Sequence, residues 1–267
     1  MNTLTTTKEN AKGYFIQNPI MKKFSKINEQ SDAHVTYRGV AKKCGFFVLM
    51  IIAGILLTFL TNFISTLSPI GNVEYPLPVV ALAGISLLGI LITPFITIFA
   101  KKATPVAGSI FCVSTGVIYT SAALFVDSYK NEILLAMFLT VALFTALAIL
   151  FYFNLITINQ KLKSTVYMVF TSLLVAGVFL GISLFIPALN GAVTAIITNP
   201  VLCIAISLIS VVVASIFVLI DLQNIKDAVN NNVPKNYEWD GAFGLIFSVI
   251  WLFAEILQLV TNVKNSI

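Results

Sequence analysis

The sequence predicts an all-α integral membrane protein, a bundle of seven transmembrane helices with its N-terminus inside and its C-terminus outside. Three observations carry that reading. Hydrophobic residues fill 58% of the 267 positions and charged residues only 10%, where soluble domains carry roughly a quarter charged residues. Mean hydropathy is +0.96. The apolar residues gather in runs of about twenty or more, the length at which a helix crosses a hydrocarbon core of roughly 30 Å while satisfying its own backbone polar groups.

Along the chain, residues 1–43 form a polar cytoplasmic segment and residues 44–267 the membrane domain. The first apolar run begins too far from the N-terminus for a signal peptide. Residues 14–24 mix Phe15, Ile16, Ile20, Met21 and Phe24 with Lys22 and Lys23, so they fit either a mobile tail or an element lying along the inner membrane surface, with Pro19 interrupting it. The predicted spans are 44–67, 77–100, 103–126, 132–154, 165–186, 199–220 and 241–261. The second and third are separated only by Lys101 and Lys102, which makes them a tight hairpin, and Pro94 and Pro105 are candidate kinks. A bent or re-entrant element is the alternative for this stretch. Residues 68–76 and 187–198 carry turn formers and are read as outer connections; the longest polar connection, 222–240, follows the sixth span, whose helix is expected to continue into it. In the fifth span, Gly177 and Gly181 form a GxxxG, read as an intramolecular packing face.

Orientation follows from the basic residues, which concentrate in cytoplasmic segments. Lys8, Lys12, Lys22, Lys23, Lys26, Arg38, Lys42, Lys43, Lys101, Lys102, Lys161, Lys163, Lys226 and Lys235 all fall on the N-terminal side, and only Lys130 and Lys264 on the other. The formal charge of +5 is therefore a topogenic signal with some attraction to anionic headgroups, and nucleic acid is not an expected partner. The three cysteines lie in or at the edge of spans without CxxC spacing and are expected to be reduced; a single histidine, His34, excludes a histidine-based metal site within one chain. Strings of the HExxH and GxSxG type are absent, as are the Tyr-Asp and Gly-x-Gly-Asp pair of intramembrane aspartyl proteases, so no enzymatic activity and no cofactor are expected.

A charge at the centre of a span costs about 2.5 to 3.5 kcal/mol on insertion scales, so each one asks for a partner or a function. Asp221 closes the apolar run of the sixth span. Glu255 has fourteen residues of the last span before it, and Gln258 at i+3 completes a polar stripe that should face protein or water. Asp221 also fits a solvated acid at the inner end of a helix, with Lys226 nearby. Asp127, Lys130, Glu132, Glu74 and Asp240 are read as solvated loop residues.

At the two carboxylates the sequence resembles the Bax inhibitor-1 family of seven-span membrane proteins, in particular its bacterial YccA-like branch. The matching strings are Ile220-Asp221-Leu222-Gln223-Asn224-Ile225-Lys226 and Leu252-Phe253-Ala254-Glu255-Ile256-Leu257-Gln258-Leu259. The family often has Asp where Glu255 stands, its segment between the acids is shorter in compact members, and an acid often found in its second span is absent here. The resemblance implies a bundle around the last helix, in which Asp221 and Glu255 share one proton and gate a calcium leak of the bacterial cytoplasmic membrane. Two carboxylates about 4 Å apart repel by roughly 4 kcal/mol at an effective dielectric near 20, enough for one shared proton near neutral pH. Loss of that proton would separate the helices and free oxygens for weak calcium binding at Asp221 and Glu255. The resemblance also implies a basic latch near the inner end of the second span, where Lys101 and Lys102 stand, although the residues themselves are better read as two topogenic lysines. A related branch implies a different role, a non-conducting regulator that binds a membrane protease or stress-response partner.

Overall fold

Each long apolar run becomes one helix in the computed structural model, which describes residues 33–67, 77–100, 102–156, 158–183 and 198–266, with Ile186 and Thr194. Among the described residues the helices are α1 (Tyr37–Leu67), α2 (Leu77–Phe99), α3 (Thr104–Phe125), α4 (Asp127–Tyr152), α5 (Gln160–Ser183), α6 (Pro200–Asn230) and α7 (Tyr237–Ser266), and they form no strands. Six of the seven, all but α5, are long and apolar enough to cross a membrane. Their outward faces are apolar: Leu56 is 62% exposed, Phe95 62% and Phe138 71%. Such faces suit lipid and would be untenable in water. The expected segment around residues 14–24, the two outer connections, Glu74 and Lys101 lie outside the described residues, apart from Thr194 and Thr198.

The helices overrun the predicted spans mainly where polar residues flank them. α1 starts at Tyr37, seven residues before the first apolar run, and α6 continues ten residues past Ile220, as expected for the latter. At 1.5 Å per residue, the 31 residues of α1 or of α6 extend roughly 46 Å, well beyond a bilayer core. Pro105 does not kink α3. It sits in the first turn, where the missing N–H has no intrahelical role. Likewise, α2 runs through Pro94 as one helix and packs along α3, as the hairpin reading expects.

Asparagine ends the two helices that border the site. After α4, Asn154 adopts φ 53°, and after α6, Asn232 adopts φ 50°, the left-handed conformation that Asn tolerates better than most residues. In both cases the paired closing bonds of a Schellman motif form: Asn154 N–H to Phe151 O and Leu155 N–H to Leu150 O, then Asn232 N–H to Val229 O and Val233 N–H to Ala228 O, all 3.0 to 3.2 Å. The chain then pairs with the segment that enters α1. Val35 N–H donates to Val233 O at 2.9 Å and Lys235 N–H to Ala33 O at 3.0 Å, around an isolated bridge between His34 and Pro234. The last part of the polar N-terminal segment is thus built into the end of the bundle where α1 and α7 begin.

α7 is the axis of the bundle, packing against α1, α3, α4 and α6, whereas α5 packs chiefly on α6. Phe47, Phe111, Phe243 and Trp239 interlock edge to face at its N-terminal half. Across the bundle, α1 and α3 come into backbone contact. A Cβ on Gly54 would strike the Val113 carbonyl, and one on Gly116 the Ile51 carbonyl. Of the predicted GxxxG face, Gly177 has nothing among the described residues within 4 Å of where its Cβ would stand, and the surroundings of Gly181 lie outside the described residues.

Candidate functional site at the α6–α7 seam

Two side-chain contacts define the register of the antiparallel α6–α7 pair. Toward the α6–α7 connection, Ser248 Oγ donates to Asp221 Oδ2 at 2.5 Å. Toward the other end, Asn262 Nδ2 donates to Ser207 Oγ at 2.8 Å. Both steps are fourteen residues, two heptads, so Ser207, Ala214 and Asp221 share one face of α6 while Ser248, Glu255 and Asn262 share one face of α7. Midway between the two contacts Glu255 stands level with Ala214, which is fully buried.

That register corrects the expected carboxylate pair. Glu255 lies seven residues beyond Ser248, about 10 Å farther along the helix, and its Oε1 accepts the Trp251 indole N–H at 2.7 Å. Asp221 accepts from Ser248 instead, and no hydrogen bond joins the two acids. The cause is depth. Asp221 stands nine residues before the end of α6, and Ser248 stands eleven residues after the start of α7, whereas Glu255 stands eighteen after it.

Around Asp221 the site is polar and partly open. Gly244 of α7 lies beside it, and the point where a Cβ would stand is 3.8 Å from Asp221 Oδ1. Lys163 from α5 is only 8% exposed; its Nζ donates to Asn224 Oδ1 at 3.0 Å and lies 3.7 Å from Asp227 Oδ2. Gln223 Nε2 donates to Asp227 Oδ1 at 2.7 Å. Lys163 and Tyr167 of α5, together with Tyr237 at the start of α7, lie within electrostatic reach of Asp221. Asp221 is therefore the acidic end of a network joining α5, α6 and α7, and the simple solvated-acid reading does not hold. Lys226, its expected neighbour, instead donates to Asn154 Oδ1 at 2.7 Å.

The other predicted residues fall elsewhere. Lys102 is exposed in the α2–α3 turn and makes no ion pair with Asp221, and Lys101 lies outside the described residues, so the buried cation near Asp221 is Lys163. Gln258 is exposed; a step of three residues from Glu255 carries it off the seam, and Asn262, at seven, stays on it. Glu132 is not a loop residue. It is 5% exposed in the second turn of α4, accepting from Lys264 Nζ and Thr261 Oγ1 at 2.6 Å each, which clamps the start of α4 to the end of α7. Asp240 lies in the first turn of α7 and accepts from Thr104 Oγ1 at 2.5 Å. At the tip where α1 and α7 begin, the fully buried Glu238 pairs with Lys43 and accepts from Thr36 N–H and Oγ1 at 3.2 and 3.1 Å. Among the described residues, no three His, Cys, Asp or Glu side chains converge as a metal cage, and the three cysteines are free.

Ser248 and Lys163 are the residues that sequence reasoning missed. A serine in the apolar run of α7 is chemically quiet, and Lys163 reads as one more positive-inside lysine. Counting equal depths outward from the α6–α7 connection would have pointed to Ser248 for Asp221. Comparison with known proteins found no curated protein and no solved structure that matches the chain. The family model for Bax inhibitor 1 like proteins matches residues 18–265, a range that takes in α1 to α6 and all but the last residue of α7. With its helical bundle and membrane-length apolar helices, the chain belongs to the Bax inhibitor 1 like family.

Proposed function

We propose that the protein is a proton-sensitive cation leak, with calcium as the permeant ion, in a bacterial cytoplasmic membrane. It spans that membrane seven times with its N-terminus inside, and its role is conduction rather than catalysis. The observation that carries this reading is the Asp221–Ser248 contact at the inner end of a seam whose α7 face repeats Ser248, Glu255 and Asn262. Ionisable side chains within a membrane span are costly to bury, and those that persist pair with one another or mark ion and proton paths.

The chemistry of the contact sets the sign of the pH response. An ionised Asp221 accepts a charge-assisted hydrogen bond, about twice as strong as a neutral one, and is attracted to Lys163. This holds α6 against α7 and against α5. A proton on Asp221 weakens both interactions, so the seam loosens and leak rises as pH falls. That is opposite to the sign expected of a proton shared between two carboxylates. Lys163, Tyr167 and Tyr237 lie within electrostatic reach of the same carboxylate and tune the transition, and Asp227 acts on it through its ion pair with Lys163. A passing calcium ion meets oxygen donors in series at Asp221 and Glu255, each alone too few to trap it.

Purified full-length protein in liposomes holding a calcium indicator tests the proposal. Calcium entry should increase on acidification, and Asp221→Asn should abolish the pH dependence. Vesicles that stay calcium-tight at every pH would overturn the leak and favour the non-conducting regulator.

A further inference from the structure

At the inner tip, an open cavity of about 430 Å³ lies between the first turns of α1 and α7, lined by Arg38, Lys42, Lys43, Lys235, Glu238 and Trp239. Lys43 is neutralised by Glu238 and lies 5.1 Å from the centre of the Trp239 ring. Arg38, Lys42 and Lys235 are exposed and have no carboxylate within ion-pair distance among the described residues. Both flanking helices also direct their N-terminal, positive ends here. The cavity therefore carries three uncompensated cations beside an indole, and it lies where α1 enters its apolar run.

The cationic mouth continues directly into an apolar track. Arg38, Lys42, Gly45, Leu49, Ile52 and Leu56 follow one another at spacings of four and three residues, a single stripe on α1. Leu49 is 61% exposed, Ile52 43% and Leu56 62%. Between the charges and the apolar side chains Gly45 leaves the helix bare, with nothing within 4 Å of where its Cβ would stand. A free anion would use only the mouth; a molecule with a phosphate head and hydrocarbon tails uses the whole stripe. We infer that this surface is a binding site for an anionic phospholipid, its phosphate held by Arg38, Lys42 and Lys235 and its acyl chains lying over Gly45, Leu49, Ile52 and Leu56.

The two tryptophans of the chain make the site readable. In the Trp251→Phe protein, Trp239 is the only indole. Reconstituted in phosphatidylcholine vesicles, its fluorescence should be quenched at several-fold lower mole fraction by phosphatidylglycerol brominated high on its acyl chains than by phosphatidylcholine brominated likewise. Arg38→Ala with Lys42→Ala should reduce that preference roughly fivefold per cation removed, the effect of one juxtamembrane basic residue on an anionic lipid. Native mass spectrometry of the unsubstituted full chain gives a second readout, with phosphatidylglycerol adducts retained over phosphatidylcholine and lost in the double variant. Equal quenching by the two brominated lipids, as when the N-terminal segment fills the cavity, would overturn the inference. So would release of the lipid by millimolar inorganic phosphate, which would assign the mouth to a soluble anion.

Discussion

Replacing Ser248 by Ala removes one hydroxyl and leaves Asp221 without its donor on α7. In the wild-type protein that donor lies 2.5 Å from Asp221 Oδ2, the short range of a hydroxyl bound to a carboxylate. A hydrogen bond to a charged group contributes about 1.5 to 3 kcal/mol, and if it is made only in the closed seam, its loss lowers the closed-to-open ratio by roughly 10- to 150-fold. Calcium entry into indicator-loaded liposomes should therefore be raised at neutral pH in Ser248→Ala and nearly flat with pH, because the proton has no latch left to weaken. Asp221→Asn should behave differently in level but not in slope. Its amide oxygen still accepts from Ser248, so flux should stand near the wild-type acidic value at all pH. A Ser248→Ala protein that keeps both the wild-type rate and the wild-type pH profile would refute the latch.

Glu255→Gln should lower calcium flux while leaving the pH profile in place, since Glu255 bonds to Trp251 and not to Asp221; loss of the pH profile in the flux assay would restore the two-carboxylate account. Gly54→Ala and Gly116→Ala each set a methyl group against a backbone carbonyl, and overpacking of this kind costs about 1 to 3 kcal/mol. Both should lower the thermal transition read by a thiol-reactive dye, which reports exposure of the buried Cys112, whereas Gly177→Ala, with open space before it, should not. Glu238→Gln removes the partner of Lys43 inside the bundle; breaking a buried pair from one side costs about 3 to 5 kcal/mol. The same dye assay should show the largest loss of this set, and an unchanged transition would mean the pair is hydrated and weak.

Much of the bundle was legible in the sequence because span length and loop charge are direct consequences of the bilayer. All seven predicted runs coincide with helices, and Asp221 stood out as a charge where lipid-facing residues were expected. What the sequence concealed were partners. Glu255 drew attention because it is charged, but contact across an antiparallel pair is decided by depth, and depth selected the uncharged Ser248. Lys163 and Glu132 looked like ordinary surface charges because burial by a neighbouring helix leaves no local mark on the chain. The glycines show the same limit: the GxxxG spacing at Gly177 is a local pattern with no close neighbour among the described residues, while Gly54 and Gly116, far apart in sequence, bring two backbones together.

The most direct test of the central claim is infrared difference spectroscopy of the reconstituted protein during an acid titration. The account predicts a protonated-carboxyl C=O band that grows as calcium leak grows, is missing in Asp221→Asn, and changes frequency in Ser248→Ala because the hydroxyl touches that group. A band that survives Asp221→Asn, or that is identical with and without Ser248, would contradict it.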